Sequence, residues 1–200
     1  MSDESAAEEL AWETTATGID YVCPGFDVRR DEVRFPDGAA GEYHYVDEPP
    51  AVVVLPFTPD GDVVVIEEWR QAVGRVNRGL PAGGVEPEDG GDGGGTVDAA
   101  RSVADLKAAA ARELAEETGY EADAFEHLLT VEPSNGIANS VHHHFVATGC
   151  EPTADQDLDH NESIRVTTAD YDDLLAAVVD GDCRDGRTAL AVTQYELTHR

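Results

Sequence analysis

The sequence predicts a protein that mixes α-helices with β-strands along one chain, and three observations carry this. Two apolar runs, Ala51–Phe57 and Asp62–Trp69, flank the turn sequence Thr58-Pro59-Asp60-Gly61 and read as a buried hairpin. Val103–Thr118 is rich in strong helix formers, with four alanines at Ala108–Ala111. Beyond it, strand-like runs at Phe125–Val131, Val141–Thr148 and Ser163–Thr168 give way to two helical stretches, Tyr171–Val179 and Thr188–His199.

Taken in order, residues 1–20 are acidic and weakly patterned, and a loose arm is expected there. Residues 21–48 hold short strand-like runs broken by Pro24-Gly25 and Pro36-Asp37-Gly38, which read as antiparallel hairpins. Pro49-Pro50 marks a boundary, and residues 49–200 form the main domain. The stretch Glu86–Asp98 is rich in glycine and acid, with Gly90–Gly95 reading GGDGGG, and a flexible surface loop is expected. Ser102 is placed to cap the following helix, with Asp105 three residues on, and Gly119 to stop it. There is no internal repeat.

Composition excludes several functions. Asp and Glu number 42 and Lys and Arg 13, for a formal net charge of -29, so binding a phosphate backbone through a basic face is disfavoured. Apolar runs are too short for a membrane helix. Met1-Ser2-Asp3-Glu4 has neither the basic start nor the apolar centre of a secretory leader, and a cytoplasmic protein is expected. Cys23, Cys150 and Cys183 form no close pair, which argues against a disulfide framework or a thiolate zinc site. Lys107 is the sole lysine, and the acids are dispersed rather than gathered in a tail. Such a surface is suited to salt that screens its self-repulsion, and it resembles the cytoplasmic proteins of extreme halophiles.

Chemistry concentrates in Arg112-Glu113-Leu114-Ala115-Glu116-Glu117-Thr118-Gly119-Tyr120. Glu113, Glu116 and Glu117 stand at i, i+3 and i+4, on one helical face. Like charges so spaced repel, and a hard divalent cation with oxygen ligands would relieve them. With 42 acids in 200 residues, charge alone decides nothing; the arginine, leucine and glycine at fixed offsets do.

This stretch matches the second half of the Nudix box, R-E-U-x-E-E-x-G-U with U apolar or aromatic. Upstream, Leu80-Pro81-Ala82-Gly83-Gly84-Val85-Glu86 resembles the loop opening the box in ADP-ribose pyrophosphatase-like members, and Arg70-Gln71 resembles their strand end. The family spaces its first glycine and its arginine fourteen positions apart, whereas Gly83 and Arg112 stand 29 apart, an excess of 15. The box's first acid falls on Asp89 counting forward and on Ala104 counting back. Asp89 is taken as its substitute, with Glu88 as alternative, and the glycine-rich stretch near 88–102 as an insertion. Loop closure makes such an insertion cheap.

The resemblance implies an α/β/α sandwich around a mixed sheet, an α+β fold, with the N-terminal hairpins as a dimerisation element and a homodimer as the assembly. It implies a Mg²⁺-dependent hydrolase, Mn²⁺ being the other candidate ion, acting on a small nucleoside diphosphate derivative, with neither nucleic acid nor membrane as partner. Glu113 and Glu117 would be primary metal ligands, Glu116 a further ligand or one acting through water, and the Ala82 carbonyl a completing ligand. Arg112 and Gly119 would support the site, while Gly83, Arg70 and Arg29 would meet substrate. Glu162, in Asp159-His160-Asn161-Glu162, is the candidate distal ligand or general base, with His160 second. Trp69, Tyr21 and Phe26 are readable as base-stacking or core residues. His142, His143 and His144 alternate faces of a strand and are read as packing or cleft lining.

The leading substrate is ADP-ribose or a related nucleotide sugar, giving a nucleoside monophosphate and a sugar phosphate. Asn135–Asn139 before Val141–Ala147 resembles a loop and strand of that group. Against it, Pro133 lies 14 positions after Gly119 where the group's proline lies sixteen, and Gly79 stands where many members have Glu. The alternatives are a Nudix hydrolase of (deoxy)nucleoside triphosphates or dinucleotides, and a non-catalytic nucleotide-binding module.

Overall fold

Tight turns and β-branched residues organise the start of the chain. In the computed structural model, which describes residues 9–86 and 102–200, β1 (Glu13–Cys23), β2 (Phe26–Arg34) and β3 (Ala40–Asp47) form an antiparallel sheet in that order. The loose arm expected through residue 20 is therefore corrected: Glu13–Asp20 lie in β1, which pairs with β2 from Glu13↔Arg34 to Cys23↔Phe26. Thr14, Thr15, Thr17 and Ile19 suit a strand. Both faces of β1 are largely exposed, so no apolar alternation announces it. The chain up to Pro49 forms one compact unit with Glu132–Ser140. That distant segment is held by Val46 N–H to the Ile137 carbonyl at 2.8 Å and Asn139 N–H to the Val46 carbonyl at 3.1 Å.

The second unit, Pro50–Val131 with Val141–Arg200, is built on a seven-stranded mixed sheet. Its strands are β4 (Ala51–Phe57), β5 (Val63–Arg70), β6 (Arg75–Gly79), β7 (Ala82–Gly84), β9 (Ala124–Val131), β10 (His142–Thr148) and β12 (Ile164–Ala169). The order is β12-β5-β4-β10-β9, with β6 on β5 and β7 on β4. Among the described strands of this sheet β4 and β10 are the parallel pair; β8 (Tyr120–Glu121) and β11 (Glu151–Pro152) form a separate short pair.

The hairpin predicted around Pro59-Asp60-Gly61 is paired only beside its turn. β4 and β5 meet at Phe57↔Val63 and then part. β6 takes the free edge of β5 from Ile66↔Gly79 to Arg70↔Arg75, and β7 takes that of β4 from Val53↔Ala82 to Ala51↔Gly84. The segment Gly79–Gly84 thus fills a fork inside the sheet, which places the Leu80-Pro81-Ala82-Gly83 sequence at the centre of the unit.

Residues of β4 and β5 are buried on both faces because helices cover both. Val52, Val54 and Val64 pack with Leu106, Ala109, Ala110 and Leu114 of α1 (Val103–Thr118). Val53, Leu55, Val63 and Val65 pack with Tyr171 and Leu174 of α2 (Tyr171–Val179) and with Ala191 and Val192 of α3 (Gly186–His199). Each fully buried Val or Leu stabilises the fold by roughly 1.5–3 kcal/mol, so these two apolar layers dominate the packing. The result is the expected α/β/α sandwich. α1 begins on a reciprocal cap: Ser102 accepts from Asp105 N–H at 3.2 Å, and Asp105 accepts from Ser102 N–H at 3.0 Å.

Candidate active site

The apolar stripe of α1 fixes which face its glutamates present. Leu106, Ala110 and Leu114 face the sheet, and Glu113 and Glu117 stand beside them over the fork, only 8% and 3% exposed. Glu117 Oε2 accepts the Ala82 N–H at 2.8 Å. The Glu113 carboxylate lies against Gly83 so closely that any Cβ there would overlap it. Glycine at 83 is thus a requirement of space. Arg112 locks the arrangement: Nη1 donates to Glu113 at 2.9 Å and Glu116 at 2.8 Å, and Nη2 donates to the Gly84 carbonyl at 2.8 Å. Helix and β7 are thereby tied together.

The end of α1 is equally constrained. Gly119 adopts φ 72°, and a side chain there would also strike the Ala154 carbonyl. The carbonyls of the last turn, which lack intrahelical partners, are taken up by the following loop. Gln156 Nε2 donates to the Glu117 carbonyl at 2.7 Å, and Asp157 N–H to the Glu116 carbonyl at 3.0 Å.

Burial sets the electrostatics. It pushes the Glu117 carboxyl up to about 8, against the lowering effect of the Ala82 amide, and Glu113 up to about 7, against that of Arg112. The charge of Glu162 raises both further. Glu162 belongs to the turn before β12, where its carboxylate accepts the Asp159 N–H at 3.0 Å. The sequence reading missed one member of this group, Glu68. It is 7% exposed, raised by burial, and also feels Glu162. The signal was present: Val64, Ile66 and Glu68 alternate along β5, which puts a carboxylate on an apolar face.

Arg70 ends β5 and pairs with Glu68 at 2.7 Å, at the edge of the glutamate group. Arg29 lies in β2 of the first unit and is ion-paired with Asp47, which also accepts from Asn139. Trp69 is no core residue: it is 48% exposed and lines an open groove of about 560 Å³ with Val76, Leu158, Ser163 and Ile164. Tyr21 and Phe26 are likewise exposed. His144 is buried and held near 4 by burial, as a packing residue would be, and His143 is lowered for the same reason. Asp89 and Glu88 fall outside the described residues.

The donor set fits a hard divalent cation. Its atoms are carboxylate oxygens, and two of the carboxyls are buried and raised toward protonation by that burial, a cost that a bound cation would offset. Among the described residues no three acidic, His or Cys side chains already close around one point. Glu113 is engaged by Arg112 and Glu117 by the Ala82 amide, so an ion would compete with those bonds.

A mixed sheet between helices carries a glutamate-bearing helix against a glycine-rich strand, which gives the second unit an acidic centre. The NUDIX domain model matches residues 47–183, more than half of the chain, and the chain belongs to that family. It is similar to the "Methanol dehydrogenase activator" of Bacillus methanolicus, 28% identical over 84% of this chain and 83% of that protein. It is also similar to an "ADP-ribose pyrophosphatase" of Bacillus subtilis, 27% identical over 86% and 85%. A solved structure titled as an ADP compounds hydrolase shares the fold, with TM-score 0.74, 19% identity, and 93% and 92% of the two chains covered.

Proposed function

We propose that the protein is a Mg²⁺-dependent pyrophosphohydrolase that cleaves the diphosphate of ADP-ribose or a related nucleotide sugar into a nucleoside monophosphate and a sugar phosphate. The observation that carries it is the buried Glu113–Glu117 pair held over Gly83 and the Ala82 amide. The likeness to the Bacillus subtilis ADP-ribose pyrophosphatase over most of both chains supports the substrate.

A divalent cation held there would supply charge neutralisation of the diphosphate and a lowered pKa for water. Glu113 and Glu117 would hold it, with the Ala82 carbonyl as a completing ligand, and Glu116, steadied by Arg112, would add a ligand directly or through water. Glu162 is the proposed acceptor of the attacking water's proton; its carboxylate accepts the Asp159 N–H, and its charge acts on both Glu113 and Glu117. Arg70 binds substrate phosphate, its charge partly balanced by Glu68. Arg29 is proposed as a second substrate contact, exchanging Asp47 for the ligand.

The test is product release from ADP-ribose, other nucleotide sugars, dinucleotides and nucleoside triphosphates, in high KCl with Mg²⁺, Mn²⁺ or EDTA. AMP formation from ADP-ribose that EDTA abolishes is expected. Turnover of another substrate class alone would displace ADP-ribose, and no turnover by folded protein would reject the enzyme. Glu117→Gln is expected to lower kcat by about a thousandfold.

We further propose a homodimer formed through the N-terminal sheet, which leaves Ile19, Tyr21 and Val22 at least half exposed. A monomeric mass by light scattering at high salt would reject it. A cytoplasmic, salt-rich setting is consistent with the net charge of -29 and three free cysteines. Among the described residues no helix is long and apolar enough to cross a membrane.

A further inference from the structure

The fork segment needs an anchor. Leu80, fully buried, lies between β6 and β7, and its N–H has no place in either strand ladder. That amide donates instead to Thr188 Oγ1 at 2.9 Å, in the first turn of α3, where Thr188 is itself fully buried. The Thr188 hydroxyl donates to Asp185 Oδ2 at 2.7 Å, so its proton is committed and a lone pair is left for Leu80. Asp185 caps α3 by accepting the Thr188 N–H at 3.3 Å, and Arg187 Nε donates to its other oxygen at 3.3 Å.

The helix end sits directly on the fork. A Cβ at Gly79 would come within 2.8 Å of Asp185 Oδ2 and 3.1 Å of Thr188 Oγ1. Two residues beyond Leu80, the Ala82 N–H meets Glu117, and Gly83 abuts Glu113. Two residues span at most about 7 Å of chain, so a displacement of Leu80 has little length in which to dissipate. Arg187 also acts on Glu68 through its charge.

We propose that Asp185 and Thr188 are positioning residues that hold Gly79–Ala82 at the depth where the Ala82 amide and Gly83 set Glu117 and Glu113. The inference rests on the metal-site reading given above. Neither residue touches substrate; they act through the backbone of the fork.

The experiment compares wild type, Thr188→Val, Thr188→Ser and Asp185→Asn. It measures Mn²⁺ affinity by electron paramagnetic resonance, kcat and KM for ADP-ribose, hydrogen exchange across residues 79–84, and Tm. Thr188→Val is expected to speed exchange in that segment, weaken Mn²⁺ binding and lower kcat by about tenfold each, with KM within about twofold. Thr188→Ser, which keeps the hydroxyl, restores all three, and Asp185→Asn falls between. Should Thr188→Val fail to fold, Asp185→Asn decides on the same readouts. A folded variant that loses Tm alone, with Mn²⁺ affinity and segment exchange unchanged, overturns the proposal. Wild type that binds Mn²⁺ but leaves ADP-ribose intact rejects the substrate instead, and the Mn²⁺ comparison still decides this one.

Discussion

At the scale of single residues, space and charge decide. Gly83→Ala places a methyl group into the Glu113 carboxylate. It is expected to cut kcat by tenfold or more, about 1.4 kcal/mol or above, in a protein that circular dichroism shows folded. Glu113 and Glu117 sit well above their ordinary 4.5 because burial disfavours the charged form. From pH 4.5 to about 7 and 8 the folded state keeps protons that the unfolded chain has released. The contribution of these two groups to metal-free stability therefore falls as pH rises through that window and levels off above it. A divalent cation binds the deprotonated forms, so the rise in Tm on adding Mg²⁺ should grow from pH 6 to 8.5 at constant KCl. A pH-independent Mg²⁺ shift would count against these carboxyls as the ligands. The box glutamates, Arg112 and Gly119 were legible because their spacing is local to one helix. Glu68, Asp185 and Thr188 were not, since β5 and the start of α3 bring them to the fork through pairings that no short window of sequence contains.

At the scale of elements, helices were read more faithfully than strands. The bounds of α1 follow from chemistry carried within it: a Ser102–Asp105 reciprocal cap at one end and an obligatory left-handed glycine at the other. Ser102→Ala is expected to cost about 1 kcal/mol in urea unfolding while leaving KM unchanged, because the cap lies three turns from the glutamates. α2 begins and ends where its apolar pattern predicts. β7 was invisible as a strand, since Gly79-Leu80-Pro81-Ala82-Gly83-Gly84 has neither alternation nor β-branched residues, and β6, Arg75–Gly79, has Val76 as its single β-branched residue. They are strands because the parted edges of β4 and β5 supply partners. β1 was missed for the opposite reason: its residues suit a strand, but an exposed sheet imposes no apolar period.

For the whole molecule, charge governs the conditions of folding. With a net charge of -29 concentrated on a 200-residue chain, self-repulsion opposes compaction, and screening relieves it. Tm should rise steadily between 0.1 and 2 M KCl; a flat profile would show that the acids are well accommodated without salt. The fold class and the order of layers were legible because the two apolar cores rest on local runs, whereas the union of Glu132–Ser140 with the N-terminal sheet rests on backbone bonds across ninety residues. The points at which the described chain leaves β7 and rejoins α1 are each fixed independently. Val85 N–H bonds to the Pro50 carbonyl at 2.8 Å on one side, and the Ser102–Asp105 cap holds the other. Each of these bonds is made by residues within 9–86 or 102–200. A reporter peptide or an affinity handle spliced in between them would leave these bonds in place, and the closure cost of the added length grows only slowly with it.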